Sequence, residues 1–307
     1  NTFKSQKHKA HDASSGEGLV FIELDRHTND DSKLALQQCI ASVLNDVAIT
    51  VADYSSMQEK TKLIRKDIEN LKEIKTTDFQ EAEIDEAIEF LEWLEKEHFA
   101  FLGYVDLEIT DTKKAHSMLP VHGSELGILK SHPEQIESID FKKVTTKIKK
   151  SILNSQLITF AKGPARSTVH RPAYPDFIAV KRLNEKGEII GEHCFYGLYT
   201  SRAYTQSPND IPILRRKSEY VIERSELNVN DYRGKELVQL LNVYPRDELF
   251  QVDKELLFEN LMGTLFVQER RQSRLFMRED TFGRFVTCLV YVPREIYNTA
   301  IRIKIQT

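Results

Sequence analysis

Glycine is scarce in this chain, 12 of 307 residues, and none of them falls in a GxGxxG or phosphate-loop pattern. A dinucleotide site needs such a turn, because only glycine lets backbone amides approach a pyrophosphate closely, so no cofactor-binding fingerprint is present. Gly-x-Ser-x-Gly and His-Glu-x-x-His are also missing, which removes two common hydrolase signatures. Cysteine is limited to Cys39, Cys194 and Cys288, far apart and without a CxxC pair. That pattern excludes a disulfide framework and suits a reduced, cytoplasmic protein. No uninterrupted apolar run approaches bilayer-spanning length and no signal-peptide pattern opens the chain, so no membrane partner is expected. Neither sign of charge dominates, with 43 Lys and Arg against 47 Asp and Glu. A net charge of -4 gives no broad electrostatic reason to expect nucleic acid.

What is present is ordinary globular material, 40% hydrophobic and 29% charged, at a length that predicts two or three domains. Residues 1–17 are polar and read as a flexible lead-in, where His8 and His11 are solvated tail residues and not a metal site. Residues 18–75 read as strand, helix, strand and helix. Gly18 to Asp25 forms the first strand, Asp30, Asp31 or Ser32 caps a helix bearing Leu36, Ile40, Val43 and Val47, and Ala48 to Tyr54 returns as a strand. This order is the closing half of a ferredoxin-like βαββαβ unit, with Met57 to Ile74 as the added helix.

Residues 76–206 read as a central α+β domain, an antiparallel PAS-like sheet of about five strands with helices. Thr77 and Gln80 make a capping box for a helix whose apolar face is Ile84, Ala87, Ile88, Leu91 and Leu94, widened by Phe90 and Trp93. Its carboxylates, Glu81 to Glu92, read as a solvated face. Phe99 to Ile109 alternates as a half-buried strand, with Phe101, Gly103, Val105 and Leu107 on one side and Leu102, Tyr104 and Asp106 on the other. Thr110 to Lys150 is looser, and Leu157 to Ala161 gives a further strand. The organising feature is the hairpin Phe177 to Leu183 and Glu188 to Tyr199, joined at Asn184-Glu185-Lys186-Gly187. Both faces of its second run are partly apolar, which predicts a central place in the sheet.

Residues 207–272 read as a helical segment. Asp210 caps, Pro212 occupies the first turn, and Gly234 to Val243 and Leu249 to Gln268 add two more helices. The run Arg215-Arg216-Lys217 is read as salt links on a solvated face, with a phosphate site as the alternative. Residues 273–307 pair Leu275 to Arg278 with Phe285 to Val292. The second strand is apolar on both faces and is expected to be central, while Ile301, Ile303 and Ile305 alternate as a strand would.

Four blocks carry a family resemblance: Phe99-Ala-Phe-Leu-Gly-Tyr104; Ser167 to Tyr174 with Asp176 to Arg182 and Gly197 to Ser201; Tyr244-Pro-Arg-Asp-Glu-Leu-Phe-Gln251; and Gly283 to Arg294. In this order they resemble the N-terminal region of the large bacterial NAD-specific glutamate dehydrogenases. The resemblance implies ACT-like domains, one at residues 18–75 begun upstream and a second opening at 273–307, and a helix where Ile301, Ile303 and Ile305 alternate. It implies oxidative deamination of glutamate to 2-oxoglutarate and ammonia, with NAD as cofactor, in the full-length enzyme. No cofactor site falls in this stretch. ACT-like units imply the protein's own subunits as partners and a small amino acid as candidate effector.

Catalytic and metal-ligating residues are not expected here. Cys194 beside His193 has the elements of nucleophile and base, but neighbours on a strand point to opposite faces. A metal site from His170, His193 and Glu192 would require the hairpin to fold them together. His170, Arg171 and Tyr174, with His193, are the residues named for an effector pocket or for bracing a loop.

Overall fold

The computed structural model describes residues 19–25, 29–73, 79–112, 115–136, 139–140, 156–280 and 283–306. The reading of residues 1–17, with His8 and His11, lies outside them, as do Gly18, Thr77 and most of 137–155. The chain separates into two compact units, residues 1–42 and 43–307.

In the first unit, residues 19–25 are irregular and exposed, Leu19 at 97% and Phe21 at 87%, in place of the predicted strand. Helix α1, Asp30–Asn70, begins here. Its cap is Asn29, whose Oδ1 accepts from the Asp31 N–H at 2.9 Å, and not one of the three residues after it.

The predicted return strand Ala48 to Tyr54 is also corrected, because α1 runs through it to Asn70. The 41 residues contain no glycine or proline, and the helical spacing of Val47, Val51 and Tyr54 continues that of Leu36, Ile40 and Val43. The β-branched residues here suggested a strand, but nothing interrupts the helix. The strand-helix-strand half of an ACT-like unit is therefore not formed by these described residues. By length and composition alone, Asp30–Glu73 is apolar enough to cross a membrane, which the reading by uninterrupted runs missed. Two of its carboxylates nevertheless pack on protein. Asp46 is held by His132 Nε2 at 3.0 Å, and Asp53 by Lys130 Nζ at 2.6 Å and the Gly127 N–H at 2.8 Å.

Helix α2, Glu81–Trp93, starts with Gln80 as an N-cap that makes no side-chain hydrogen bond. Its expected apolar face is buried, with Ile84, Ala87, Phe90, Leu91 and Trp93 at 5% exposure or less. The acidic face does more than meet solvent. Glu83 accepts from the Leu157 N–H at 2.8 Å, and Glu86 accepts from the Ile213 N–H at 2.6 Å and Arg215 Nε at 2.7 Å.

The sheet has seven strands among the described residues, all paired antiparallel: β1 Phe99–Thr112, β2 Ala115–Pro120, β3 Leu126–Gly127, β4 Ile139–Asp140, β5 Ile158–Lys162, β6 Asp176–Leu183 and β7 Ile189–Tyr199. The order is β4-β2-β1-β7-β6-β5, with β3 also against β1. The hairpin β6–β7 is central, as expected from its two apolar faces. Phe195 and Tyr199 enter one core with α2 and the later helices, while Cys194, Tyr196 and Leu198 enter a second core under Ile128, Leu129 and Val169.

In β1 the expected alternation fails at one point. A bulge between Phe101 and Gly103 shifts the register, so Tyr104 joins Phe99 and Phe101 while Leu102 joins Val105 and Leu107 on the other side. The strand is thus buried on both faces.

Gly197 lies opposite Phe101, where an added Cβ would sit 2.2 Å from the Ala100 carbonyl oxygen and 2.6 Å from the Phe99 ring. We expect Gly197→Ala to destabilise by about 2 kcal/mol through overpacking, measured as a lower urea midpoint. An unchanged midpoint would show that the strand pair yields freely.

Beyond β7 come the helices Ser201–Thr205, Leu214–Ser225, Tyr232–Val243, Arg246–Gln251 and Lys254–Arg270. Asp210 does not cap the second of these. It ends a short 3₁₀ turn, and the helix starts after Ile213, whose φ of 71° is left-handed. The single helix expected from Leu249 breaks at Val252 and Asp253. Strands β8 Arg274–Glu279 and β9 Val286–Tyr291 form a separate two-stranded sheet. Strand β9 is therefore not central. Val286 and Val290 remain exposed, with Leu275 and Met277 of β8 on the same face. Residues Thr299–Gln306 are a helix and not the strand suggested by alternating isoleucines.

Candidate functional site

Strand register places His193 directly opposite Asp106 of β1 and Val180 of β6. His193 Nδ1 lies 2.6 Å from Asp106 Oδ1 and 2.8 Å from Tyr104 Oη, and Tyr104 donates to the same carboxylate oxygen at 2.6 Å. Lys60 of α1 approaches the other oxygen at 3.8 Å. Burial pulls the Asp106 carboxyl up, but the hydrogen bonds from His193 and Tyr104, with the charges of His193 and Lys60, outweigh it and hold its pKa below the usual range.

A cavity of about 430 Å³ opens beside this group, between α1 and the β6–β7 hairpin. Ile64, Ile68 and Leu71 supply an apolar wall, and Asp67, Lys181, Arg182 and Glu185 supply charge, with the His193 ring beside them. Its apolar wall and charged lining make it a candidate site.

The other three residues named from the sequence lie elsewhere. His193 and the end of β7 at Tyr199 are six residues apart, roughly 20 Å at about 3.4 Å per residue. Arg171 Nη2 donates at 3.1 Å to both the Tyr199 carbonyl and Tyr204 Oη. It braces the loop before β6 against the end of β7. Tyr174 packs edge-on against Phe285 at 5.2 Å, with Arg166 over its ring. His170 is exposed, with a left-handed φ of 69°.

Behind this loop is an ionic cluster. Lys162 Nζ bridges Asp176 at 2.8 Å and Asp247 at 3.3 Å, and Asp247 accepts from Tyr204 Oη at 2.7 Å. Asp176 Oδ2 and Tyr199 Oη are buried without a hydrogen-bond partner among the described residues. Burial pushes the Asp176 carboxyl up to about 7 against the pull of Lys162, with Asp247 adding repulsion.

A folded-state pKa above the unfolded one means that the folded protein holds the extra proton between roughly pH 4 and 7. The contribution of Asp176 to stability is therefore fully present below that window and is lost as pH rises through it. We expect the melting temperature of the parent chain, minus that of Asp176→Asn, to fall between roughly pH 4 and 7. A flat difference would place the proton elsewhere.

Metal chemistry is not assembled: the described residues hold no group of three or more His, Cys, Asp or Glu side chains placed to bind an ion. Glu192 instead forms a buried ion pair with Lys181, and Cys194 is buried in the second core.

Comparison with known proteins gives matches to one group of enzymes. Residues 211–270 match the family model for glutamate dehydrogenase, helical motif 1, and residues 274–307 match that for glutamate dehydrogenase, ACT2 domain. The NAD-specific glutamate dehydrogenase of Halomonas elongata is 37% identical over 290 residues, covering 94% of this chain and 18% of that protein. That of Pseudomonas aeruginosa is 37% identical over 292 residues, 95% of this chain and 18% of the relative. The Mycobacterium tuberculosis enzyme of the same name is 24% identical over 296 residues, 95% and 17% of the two chains.

The chain is a homologue of the NAD-specific glutamate dehydrogenases. It spans less than a fifth of the length of these relatives, 18% of the first two.

Within the part matching the glutamate dehydrogenase helical motif, the structure shows two features that the sequence reading missed. Lys217, read with Arg215 and Arg216 as surface charge, is 7% exposed. Its Nζ donates to the carbonyls of Leu249, Phe250 and Val252 at 2.9, 2.7 and 2.7 Å, closing the C-terminal end of Arg246–Gln251. Burial pushes its pKa down to about 7, yet three acceptors call for all three ammonium hydrogens. Glu248 meets Arg278 of β8 in a two-pronged pair, Nη2 to Oε2 at 2.7 Å and Nε to Oε1. The pair ties the ACT2-matching hairpin to the helical motif. Neither feature had a signal beyond a run of like charge and an Arg-Asp-Glu triplet, because burial depends on distant packing. Arg215 does form the expected salt links, to Glu86 and Glu89, both at 2.7 Å.

Proposed function

We propose that this chain is a non-catalytic regulatory and assembly segment, from the N-terminal part of a large NAD-dependent glutamate dehydrogenase. The observation that carries the reading is proportion. Some 94% of the chain aligns with 18% of an enzyme named for NAD and glutamate, and its matched models are a helical motif and an ACT2 domain. The absence of any glycine-rich dinucleotide turn in the sequence supports placing NAD binding and deamination of glutamate in another part of the polypeptide. We read the central sheet as PAS-like: its five longer strands run β2-β1-β7-β6-β5, with helices packed in one of its two cores. Three free cysteines suit a cytoplasmic setting.

In this reading a small amino acid bound by the segment favours one arrangement of the enzyme's own subunits over another. Calorimetric titration of the chain against an amino-acid panel, repeated as an activity assay on the full-length enzyme, tests it. Binding by the chain together with a changed deamination rate is the expected result. Neither heat nor a rate change would remove the regulatory role.

A purely structural assembly role is the second reading. The apolar face of β8–β9 favours it, with Leu275, Met277 and Val286 each more than half exposed at 51%, 60% and 56%. It predicts self-association of the chain in sedimentation, and a clean monomer at high concentration would count against it.

A further inference from the structure

We infer that the cavity between α1 and the β6–β7 hairpin binds a small carboxylate with a short apolar body. Arg182 lies opposite Gly191, and His193 lies opposite Val180, so the two side chains are diagonal neighbours on one sheet face. Gly191 lets β1 approach closely, since an added Cβ would sit 2.1 Å from the Leu107 carbonyl oxygen. The Arg182 guanidinium reaches that same oxygen with a single long contact of 3.4 Å. It forms no ion pair among the described residues, leaving most of its planar donor fork for an anion.

His193 spends Nδ1 on Asp106 and Tyr104, so the nitrogen left for a ligand is Nε2, which donates to a carboxylate when the ring carries both protons. Opposite these donors stand Ile64, Ile68 and Leu71 of α1. A volume of about 430 Å³ lies within the range of small-ligand pockets. Asp67 also lines the cavity, without an ion pair among the described residues, and would receive an ammonium group. The shared chemistry is thus a carboxylate on Arg182 and His193 with an apolar body on the helix wall. Its source is either an α-amino acid, which also engages Asp67, or the corresponding simple acid.

As an effector site this cavity rests on the regulatory reading; as a binding site it does not. Valine and its deaminated counterpart, 3-methylbutanoate, are the probes, titrated calorimetrically into the chain and its variants. Arg182→Gln should weaken whichever probe binds about tenfold or more, the loss of one charge-assisted contact. Its melting temperature should stay unchanged, because the half-buried side chain makes one weak contact. Asp67→Asn should weaken valine alone, which identifies the amino acid as the source. Binding of 3-methylbutanoate only, still sensitive to Arg182→Gln, supports the site with the simple acid as its source. No binding of either probe at millimolar concentration, or binding indifferent to Arg182→Gln in a folded variant, overturns the site. If binding behaves as expected and the full-length enzyme's rate does not respond, the site stands and the regulatory reading falls.

Discussion

Glu248→Ala should be the most damaging single change considered, costing about 3–5 kcal/mol, because it leaves Arg278 as an uncompensated charge in the interior. The side chains are 5% and 12% exposed, so water cannot readily replace the lost carboxylate. Arg278 would retain only a 3.2 Å contact to Gln251 and a 3.4 Å contact to the Glu279 carbonyl. The damage should concentrate where β8–β9 meets the helix Arg246–Gln251, so limited proteolysis should cut the hairpin region first. The double change Glu248→Leu with Arg278→Met removes both charges and should recover much of the loss. Chemical denaturation of the parent chain and the two variants checks this. A single-variant cost below about 1 kcal/mol, the range of exposed pairs, would contradict it.

Lys217→Met should destabilise by about 2–3 kcal/mol. Methionine fills similar volume but cannot donate, so three buried carbonyls at the end of one helix lose their partner, at about 1 kcal/mol or more each. Relief of the ammonium's desolvation offsets part of that, which is why the expected loss is smaller than the sum. For a chain of this size the melting temperature should drop by roughly 3–5 °C. Lys217 lies within electrostatic reach of Glu248 and Arg278, so combining this change with Glu248→Ala should give a non-additive result. An unchanged melting temperature would mean that the carbonyls find other donors.

The parts of the fold legible in the sequence were those set by local periodicity. The β6–β7 hairpin, its turn and its two faces follow from alternation, because side-chain direction on a strand reverses at every residue. The buried face of α2 follows from its 3.6-residue spacing. The misreadings share a cause. Ala48 to Tyr54 and Ile301 to Ile305 are rich in β-branched residues, whose strand preference is weak beside an uninterrupted helical context. Strand β9 looked central because Val286, Cys288 and Val290 oppose Thr287, Leu289 and Tyr291, but pairing is a tertiary fact and only β8 pairs with it.

The candidate site was legible only in part. His193 was named for it, and the structure adds Arg182 by diagonal register across Gly191. His170, Arg171 and Tyr174 belong to the Ser167 to Tyr174 block that carries the resemblance, but lie toward the other end of the sheet from His193. That separation depends on strand register, which neighbouring residues do not reveal. The bulge at Gly103 likewise moved Tyr104 onto the His193 face, where it shares Asp106. Lys217 and Glu248 carry ordinary surface residue types, and only their three-dimensional partners show that they are interior.

The proposed division of labour between this chain and the rest of a full-length enzyme has a direct test. The purified chain, given glutamate and NAD, should form no reduced nicotinamide, while the full-length enzyme assayed alongside should form it readily. Reduced nicotinamide from the chain alone, dependent on glutamate, would contradict a non-catalytic role.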